Sequence, residues 1–313
     1  MQFVFGRHAE FRSPHVLTIG NFDGVHVGHQ RVIHQAQQVA QQLQLPLTVL
    51  LFEPQPKEYF ADHIGQAAPA RLMNLKSKVA ALNALGVDCT WCLKFSDIRP
   101  MSAETFVNQL VAGKQVRHLV VGDDFRFGCD RQGDFNYLID TGELSGFTVE
   151  QSDTYRVGDE RVSSSRIRDL LKTHDFYGAS QLLGRLYALC GRVCYGQQLG
   201  RKIGFPTANI ALSNSPPLQG VFGCMVELPE GRVVTAVANI GSRPTVSGQK
   251  VSLEVHLHEF TGELYGRTLI VIPRVFIRAE QKFESIDALT AQIQVDNAKA
   301  LELLSVFTGS ETE

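Results

Sequence analysis

Near Leu183-Gly184 the chain changes its hydrophobic period, and that change restricts the fold more than any single motif does. Before it, short apolar runs alternate with segments of three- and four-residue spacing. Val16 to Gly20 and Leu47 to Phe52 read as strands, while Val32, Ala36, Val39 and Leu43 recur at helical spacing. A second helical pattern through Leu72, Val79, Leu82 and Leu85 ends at Gly86, a residue suited to a helix C-terminus. A strand at 87–95, a helix at 103–112 with Ser102 as its cap, and a strand at 117–121 continue the alternation. Repeated β-α-β units predict a Rossmann-like parallel sheet with helices on both faces. After the change come short β-rich runs at 189–193, 221–227, 233–239, 251–256 and 269–276, then one long helix at 286–304. Closely spaced strands with Gly and Pro turns predict a small antiparallel β-barrel, here with a C-terminal helix. The expected fold class is α/β plus β, with domains at 1–184 and 185–313.

Composition sets limits on function. At 313 residues the chain exceeds the usual single-domain size, and 44% hydrophobic with 20% charged residues is ordinary globular composition. A net charge of −2 gives no broad positive field, so neither nucleic acid nor membrane is an expected partner, and any phosphate must be held by local groups. No apolar run is long enough to span a bilayer, and Met1 to His8 lacks a basic segment followed by an apolar stretch, so a cytoplasmic location is expected. The six cysteines make no disulfide framework. Cys89 and Cys92 have redox-like spacing but lie in a strand-like run without a second pair, and they read as small buried hydrophobes.

Between the first strand and the first long helix lies Gly20-Asn21-Phe22-Asp23-Gly24-Val25-His26-Val27-Gly28-His29. Glycines let backbone pass close to a ligand, and a helix start offers unpaired N–H groups. Two imidazoles there can donate to phosphate oxygens. The segment resembles the His-x-Gly-His motif of the nucleotidyltransferase superfamily, in the form found in prokaryotic FAD synthetases. Phe52-Glu53-Pro54-Gln55-Pro56, 121–128 (Val-Gly-Asp-Asp-Phe-Arg-Phe-Gly) and 162–168 (Val-Ser-Ser-Ser-Arg-Ile-Arg) are similar to the same family, with Gln55 where His is common. The resemblance implies catalytic roles for His26, His29 and Arg166. It implies ATP contacts from Gly20, Asn21, Phe22, Asp23, Gly28, Ser164 and Arg168, and flavin contacts from Asp123, Phe125 and Phe127. Read without it, Arg166 and Arg168 are solvated residues of a capped helix, and the two phenylalanines are strand core.

The second half carries Gly200-Arg201-Lys202-Ile203-Gly204-Phe205-Pro206-Thr207-Ala208-Asn209. It resembles the riboflavin kinase domain, and Asn239 to Thr245, Leu253 to Leu257 and Phe276 to Phe283 match that domain in order and spacing. Tyr195 and Phe222 are mild departures, standing where the family often has His and Tyr. The resemblance implies that Gly200, Arg201, Lys202, Gly204, Thr207 and Asn209 bind ATP, with Thr207 and Asn209 also holding Mg²⁺. It implies that Arg278 touches flavin and that Glu254 is the general base. Glu254 sits in a strand run where alternation sets it opposite Leu253 and Val255, and alone it reads as a solvated strand residue. Thr207 and Asn209 alone read as turn stabilisers.

Together the two resemblances imply an enzyme of the bifunctional riboflavin kinase/FAD synthetase (FMN adenylyltransferase) family. Its substrates and products would be riboflavin, FMN, FAD and ATP, its cofactor Mg²⁺, and self-association stays open. A half retained only for structure, and a flavin- or nucleotide-binding regulator on the same scaffold, are the competing readings.

Overall fold

The computed structural model describes residues 1–196, 198–245 and 248–308. The chain forms two compact units. The first comprises Met1–Pro69 and Leu75–Ser164, the second Ala70–Asn74 and Ser165–Glu313.

The first unit contains β1 (Gln2–Phe5), β2 (His15–Ile19), α1 (Val27–Leu43), β3 (Leu47–Glu53) and α2 (Pro56–His63). These are followed by α3 (Leu75–Ala84), β4 (Cys89–Lys94), α4 (Phe95–Ile98), α5 (Ala103–Phe106), β5 (Val116–Gly122), α6 (Phe135–Ser145) and β6 (Thr148–Ser152). The six strands form one parallel sheet in the order β1-β4-β3-β2-β5-β6. All five residues of β2 are buried, as a central parallel strand covered on both faces requires. From β2 the chain winds one way to β3 and β4, and the other way to β5 and β6. The reversal falls between β2 and β5, and ligands of open α/β sheets bind beyond the carboxyl ends of strands at such a point. Those ends run into Gly20-Asn21 and Gly122-Asp123. A two-stranded hairpin, β7 (Arg156–Val157) and β8 (Glu160–Arg161), follows the sheet.

Several local expectations are refined. The buried face of α1 is Ile33, Ala36 and Ala40, one position from Val32 and Val39. Ser102 caps α5 by accepting from the Thr105 N–H at 3.1 Å, but the helix passes into a π-turn at Val107–Val111. Gly86, at φ +78°, ends α3 where glycine is favoured. Cys89 and Cys92 are buried thiols, and burial pushes the Cys89 thiol up. That environment suits a packing residue, not a reactive one.

The second unit begins with α7 (Ser164–Lys172), whose first residue still belongs to the first, and α8 (Phe176–Leu183). It continues through β9 (Leu189–Cys194), α9 (Leu199–Lys202), β10 (Ala208–Ala211), β11 (Gly220–Glu227), β12 (Val233–Thr245), β13 (Gly248–Leu257), β14 (Thr268–Arg278) and α10 (Ile286–Thr308). The strands close an antiparallel barrel in the order β10-β13-β12-β11-β14-β9. Leu253, Val255, Ala238 and Ile240 fill its interior at 0–1% exposure. Across its outside runs α10, where Ala300 and Leu304 meet Val221 and Ile277.

The compact units divide after Ser164, twenty residues before the 184/185 division read from the change of period. The reason is packing. His174, between α7 and α8, stacks on Phe276 at 3.8 Å and meets the edge of Phe222, so the helix pair belongs to the barrel's core. Leu72, expected in a helix, lies in the five-residue stretch that joins the second unit, where Arg71 N–H donates to Ser215 O at 3.1 Å and Asn74 donates to Cys190 O at 3.0 Å.

Candidate functional site

In the first unit, His26 is the N-cap of α1: its Nδ1 accepts from the His29 backbone N–H at 3.2 Å. The imidazole of His29 lies one turn on and stacks on that of His26, with centroids 3.5 Å apart and planes at 14°. The cap commits Nδ1 of His26 as an acceptor, so its proton sits on Nε2 and only that edge can donate outward. The loop before the helix is held in an unusual conformation, with Phe22 and Val25 at φ 46° and 40°. Such strain persists only where the surroundings over-determine it. Here the fixing contacts are visible. Lys78, 1% exposed, donates from Nζ to Asn21 O at 2.7 Å; Gln30 donates to Val25 O at 2.9 Å; Ser164 Oγ donates to Asp23 O at 2.9 Å.

Phe22 and Asp23 are both 2% exposed. Ser164 is tied to the loop by its bond to Asp23 O. Arg166 and Arg168 belong to the second unit, where Arg166 is exposed and Arg168 Nε donates to Ala70 O at 2.5 Å.

The aromatic expectations divide. Phe127, 5% exposed, packs in the core beside Phe106, so the core reading holds for its ring. Phe125 is half-buried and stacks on it at 5.6 Å. Asp123 is engaged by Thr154 and by Arg161, which bridges Asp123 and Asp124 at 2.9 and 3.0 Å. Sequence reasoning passed over a second aromatic group at the carboxyl ends of β3 and β4. Phe52, Tyr59 and Phe60 surround Phe95, and Phe60 remains 46% exposed with Arg99 over its ring. The density of aromatics between 52 and 60 was the available signal. Gln55 is buried at the start of α2, where its backbone N–H donates to Glu58 Oε2 at 2.9 Å.

In the second unit a cavity of about 280 Å³ opens on the outer face of the barrel beside α10. Thr207, Asn209, Asn239, Glu254, Arg278 and Asp296 are among the residues that line it. Register explains the grouping. Asn209 is directly opposite Glu254 on one side, and Asn239 is directly opposite it on the other. Directly paired residues share a face, and their neighbours Leu253 and Val255 point into the barrel. The turn bearing Thr207 is fixed by His256, whose Nδ1–H donates to Pro206 O at 2.8 Å. Gly200 is required by close approach, since a Cβ there would fall 2.3 Å from Phe205 O and 3.3 Å from Thr207 Oγ1. Arg201 and Gly204 are exposed; the side chain of Lys202 lies outside the described residues.

Arg278 is held more tightly than a flexible ligand contact would be. Nε donates to both oxygens of Asp296 at 3.0 Å, and a terminal nitrogen donates to Oδ2 at 2.8 Å. Asp296, on α10, is only 3% exposed and also accepts from Gln292 at 2.9 Å. Nearby, His258 bridges Thr235 and Asn297 at 3.0 and 3.3 Å, and burial lowers its pKa. These contacts seat α10 as one wall of the cavity.

A parallel sheet with a histidine pair at a helix start, joined to an antiparallel barrel with an acid-and-amide cleft, defines a two-part, nucleotide-using transferase. Residues 8–166 match the FAD synthetase family and residues 183–304 the riboflavin kinase family. A bifunctional riboflavin kinase/FMN adenylyltransferase of Pseudomonas fluorescens is 46% identical over 97% of this chain and 98% of its own. Its namesake from Escherichia coli K12 is 42% identical over 98% and 99%. The chain belongs to the family of bifunctional riboflavin kinase/FMN adenylyltransferases. A crystal structure titled as a macrolide-efflux protein from Streptococcus pneumoniae shares the architecture, with a TM-score of 0.77 and 26% identity over 95% of this chain and 98% of that one. Among the described residues, no helix is long and apolar enough to cross a membrane.

Proposed function

We propose that the barrel cavity phosphorylates riboflavin to FMN and that the His26–His29 site adenylylates FMN to FAD, each with ATP. The observation that carries the first half is the cross-strand row Asn209–Glu254–Asn239 on the cavity wall. Glu254 takes the proton of the terminal hydroxyl as its oxygen bonds to the γ-phosphorus of ATP, and ADP leaves. Thr207 and Asn209 supply hard, neutral oxygens beside a carboxylate, the donor type Mg²⁺ accepts, with phosphates and water completing its shell. When bound there, the ion neutralises phosphate charge. Gly200, Arg201, Lys202 and Gly204 form the loop over the phosphates.

Adenylyl transfer has a different need. The FMN phosphate is largely dianionic near neutral pH if its second pKa is about 6, so it attacks the α-phosphorus of ATP without a protein base. Pyrophosphate departs, and the requirement is for donors and cations. Nε2 of His26, the imidazole of His29 and the amides of Val27 and Gly28 supply the donors, and the family resemblance gives the role of cation to Arg166. Location at the sheet's switch point supports this half. The metabolic setting that fits is the cytoplasm.

The test is direct. Pure protein is incubated with riboflavin, ATP and Mg²⁺, and flavins are separated by chromatography. FMN followed by FAD is expected. FMN alone would sink the adenylylation half, and unchanged riboflavin would sink the kinase half.

A further inference from the structure

Asn239 stands on the side of Glu254 away from Asn209, and strand spacing puts the two amide-bearing residues roughly 10 Å apart. That separation orients the cavity. Phosphates and metal belong on the Thr207–Asn209 side, the accepted hydroxyl at Glu254, and the rest of the acceptor on the Asn239 side, toward Arg278 and α10.

On that side Asn239 is singular. Its Oδ1 is buried and has no hydrogen-bond partner among the described residues. A buried amide oxygen left without a donor is costly, and native structures rarely tolerate one without reason. The amide's orientation follows from its neighbour. Nδ2 faces Glu280 Oε1 at 3.5 Å, and an ionised carboxylate can only accept, so the NH₂ group turns toward Glu280 and the oxygen turns away from it. Glu280 is itself placed by backbone: its carboxylate occupies the space a Cβ on Gly241 would need, within 1.9 Å. The Asn-Ile-Gly segment thus provides both the amide and the room for the group that aims it.

We infer that Asn239 is a specificity-determining residue of the kinase reaction, whose Oδ1 accepts a hydrogen bond from an internal hydroxyl of the substrate's polyol chain, with Glu280 as its positioning residue. This rests on the barrel cavity being the riboflavin kinase site. A site that hydrogen-bonds a hydroxyl discriminates against an analogue lacking it, because its own polar atom is then left unpaired. Holding the chain between Asn239 and Glu254 also fixes which hydroxyl reaches the base.

The experiment compares riboflavin with a 10-(5-hydroxypentyl) flavin, which keeps the terminal hydroxyl and lacks the internal ones. kcat/KM is measured for both with the full chain and with Asn239→Leu, and urea unfolding of the same preparations followed by far-UV circular dichroism reports on folding. Asn239→Leu is expected to lower kcat/KM for riboflavin on the order of 30-fold while changing that for the hydroxypentyl flavin by about twofold or less. Glu280→Gln should give a smaller loss with the same selectivity. If Asn239→Leu does not fold, Asn239→Ser carries the test with the same expectation. Equal losses for both flavins, or no loss for either, would overturn the inference while leaving the kinase reading intact. A wild-type chain that phosphorylates neither flavin would overturn both.

Discussion

The imidazole of His26 accepts a hydrogen bond from the backbone of His29 and stacks on the ring of His29, with centroids 3.5 Å apart. The cap is a structural role and the proposed donation to phosphate a chemical one, and the two separate by substitution. Asparagine is among the best N-caps, so His26→Asn keeps the cap while removing Nε2. Adenylyl transfer should fall about 100-fold in both His26→Asn and His26→Ala, the scale of losing one charge-stabilising donor. Only the alanine variant should also lose stability, by about 1 kcal/mol. Thermal unfolding beside FAD formation distinguishes them; equal stability of the two variants would remove the capping role.

Base catalysis and charge stabilisation are assigned to separate units, which predicts a crossed pattern. Glu254→Gln should abolish FMN formation from riboflavin and leave conversion of supplied FMN to FAD. His29→Ala should do the reverse. Chromatographic separation of flavins after each half-reaction reads both. Loss of both activities from either folded variant would contradict independent sites.

The Arg278–Asp296 pair, whose side chains are 20% and 4% exposed, is a largely buried ion pair, and the other terminal nitrogen of Arg278 donates to Ala279 O at 2.9 Å. Removing one partner strands the other. Asp296→Ala should destabilise the barrel by about 3–5 kcal/mol, and the apolar double change Arg278→Met with Asp296→Leu should cost less than either single change. Urea unfolding followed by far-UV circular dichroism measures this. Additive single-variant losses would show that the pair is not coupled.

His15 is 1% exposed at the start of β2, its ring 4.4 Å from that of Phe11, and burial lowers its pKa to about 4. The folded state therefore keeps it neutral where the unfolded chain, with an ordinary histidine pKa near 6.5, binds a proton. Its contribution is complete above pH ~6.5 and is lost as pH falls toward 4, by on the order of 3 kcal/mol. His15→Phe should flatten that part of the pH dependence. Trp91, the only tryptophan of the chain, lies against Phe11 and reports unfolding of this unit by fluorescence. An unchanged pH profile in the variant would assign the acid loss to other groups.

The residues themselves determined the two architectures, the histidine pair at a helix start, and the outward face of Glu254. Each follows from local periodicity or from spacing within about ten residues, where geometry is nearly fixed by the chain. Strand β10 was not read, because Ala208–Ala211 is four residues long and its sequence serves equally as a turn. Its pairing with both β9 and β13 closes the barrel. The division of the chain after Ser164 likewise depended on rings from distant segments, His174 on Phe276. The ring of Phe127 is buried and that of Phe60 is left exposed for one reason: burial is decided by neighbours that the sequence does not order. Asn239 is the sharpest case. As a letter in a motif it had no role; only β-register set it beside Glu254, and only packing left its oxygen buried and aimed. Short-range spacing is written in the chain, whereas the partners of a buried polar atom exist only once strands far apart in sequence have paired.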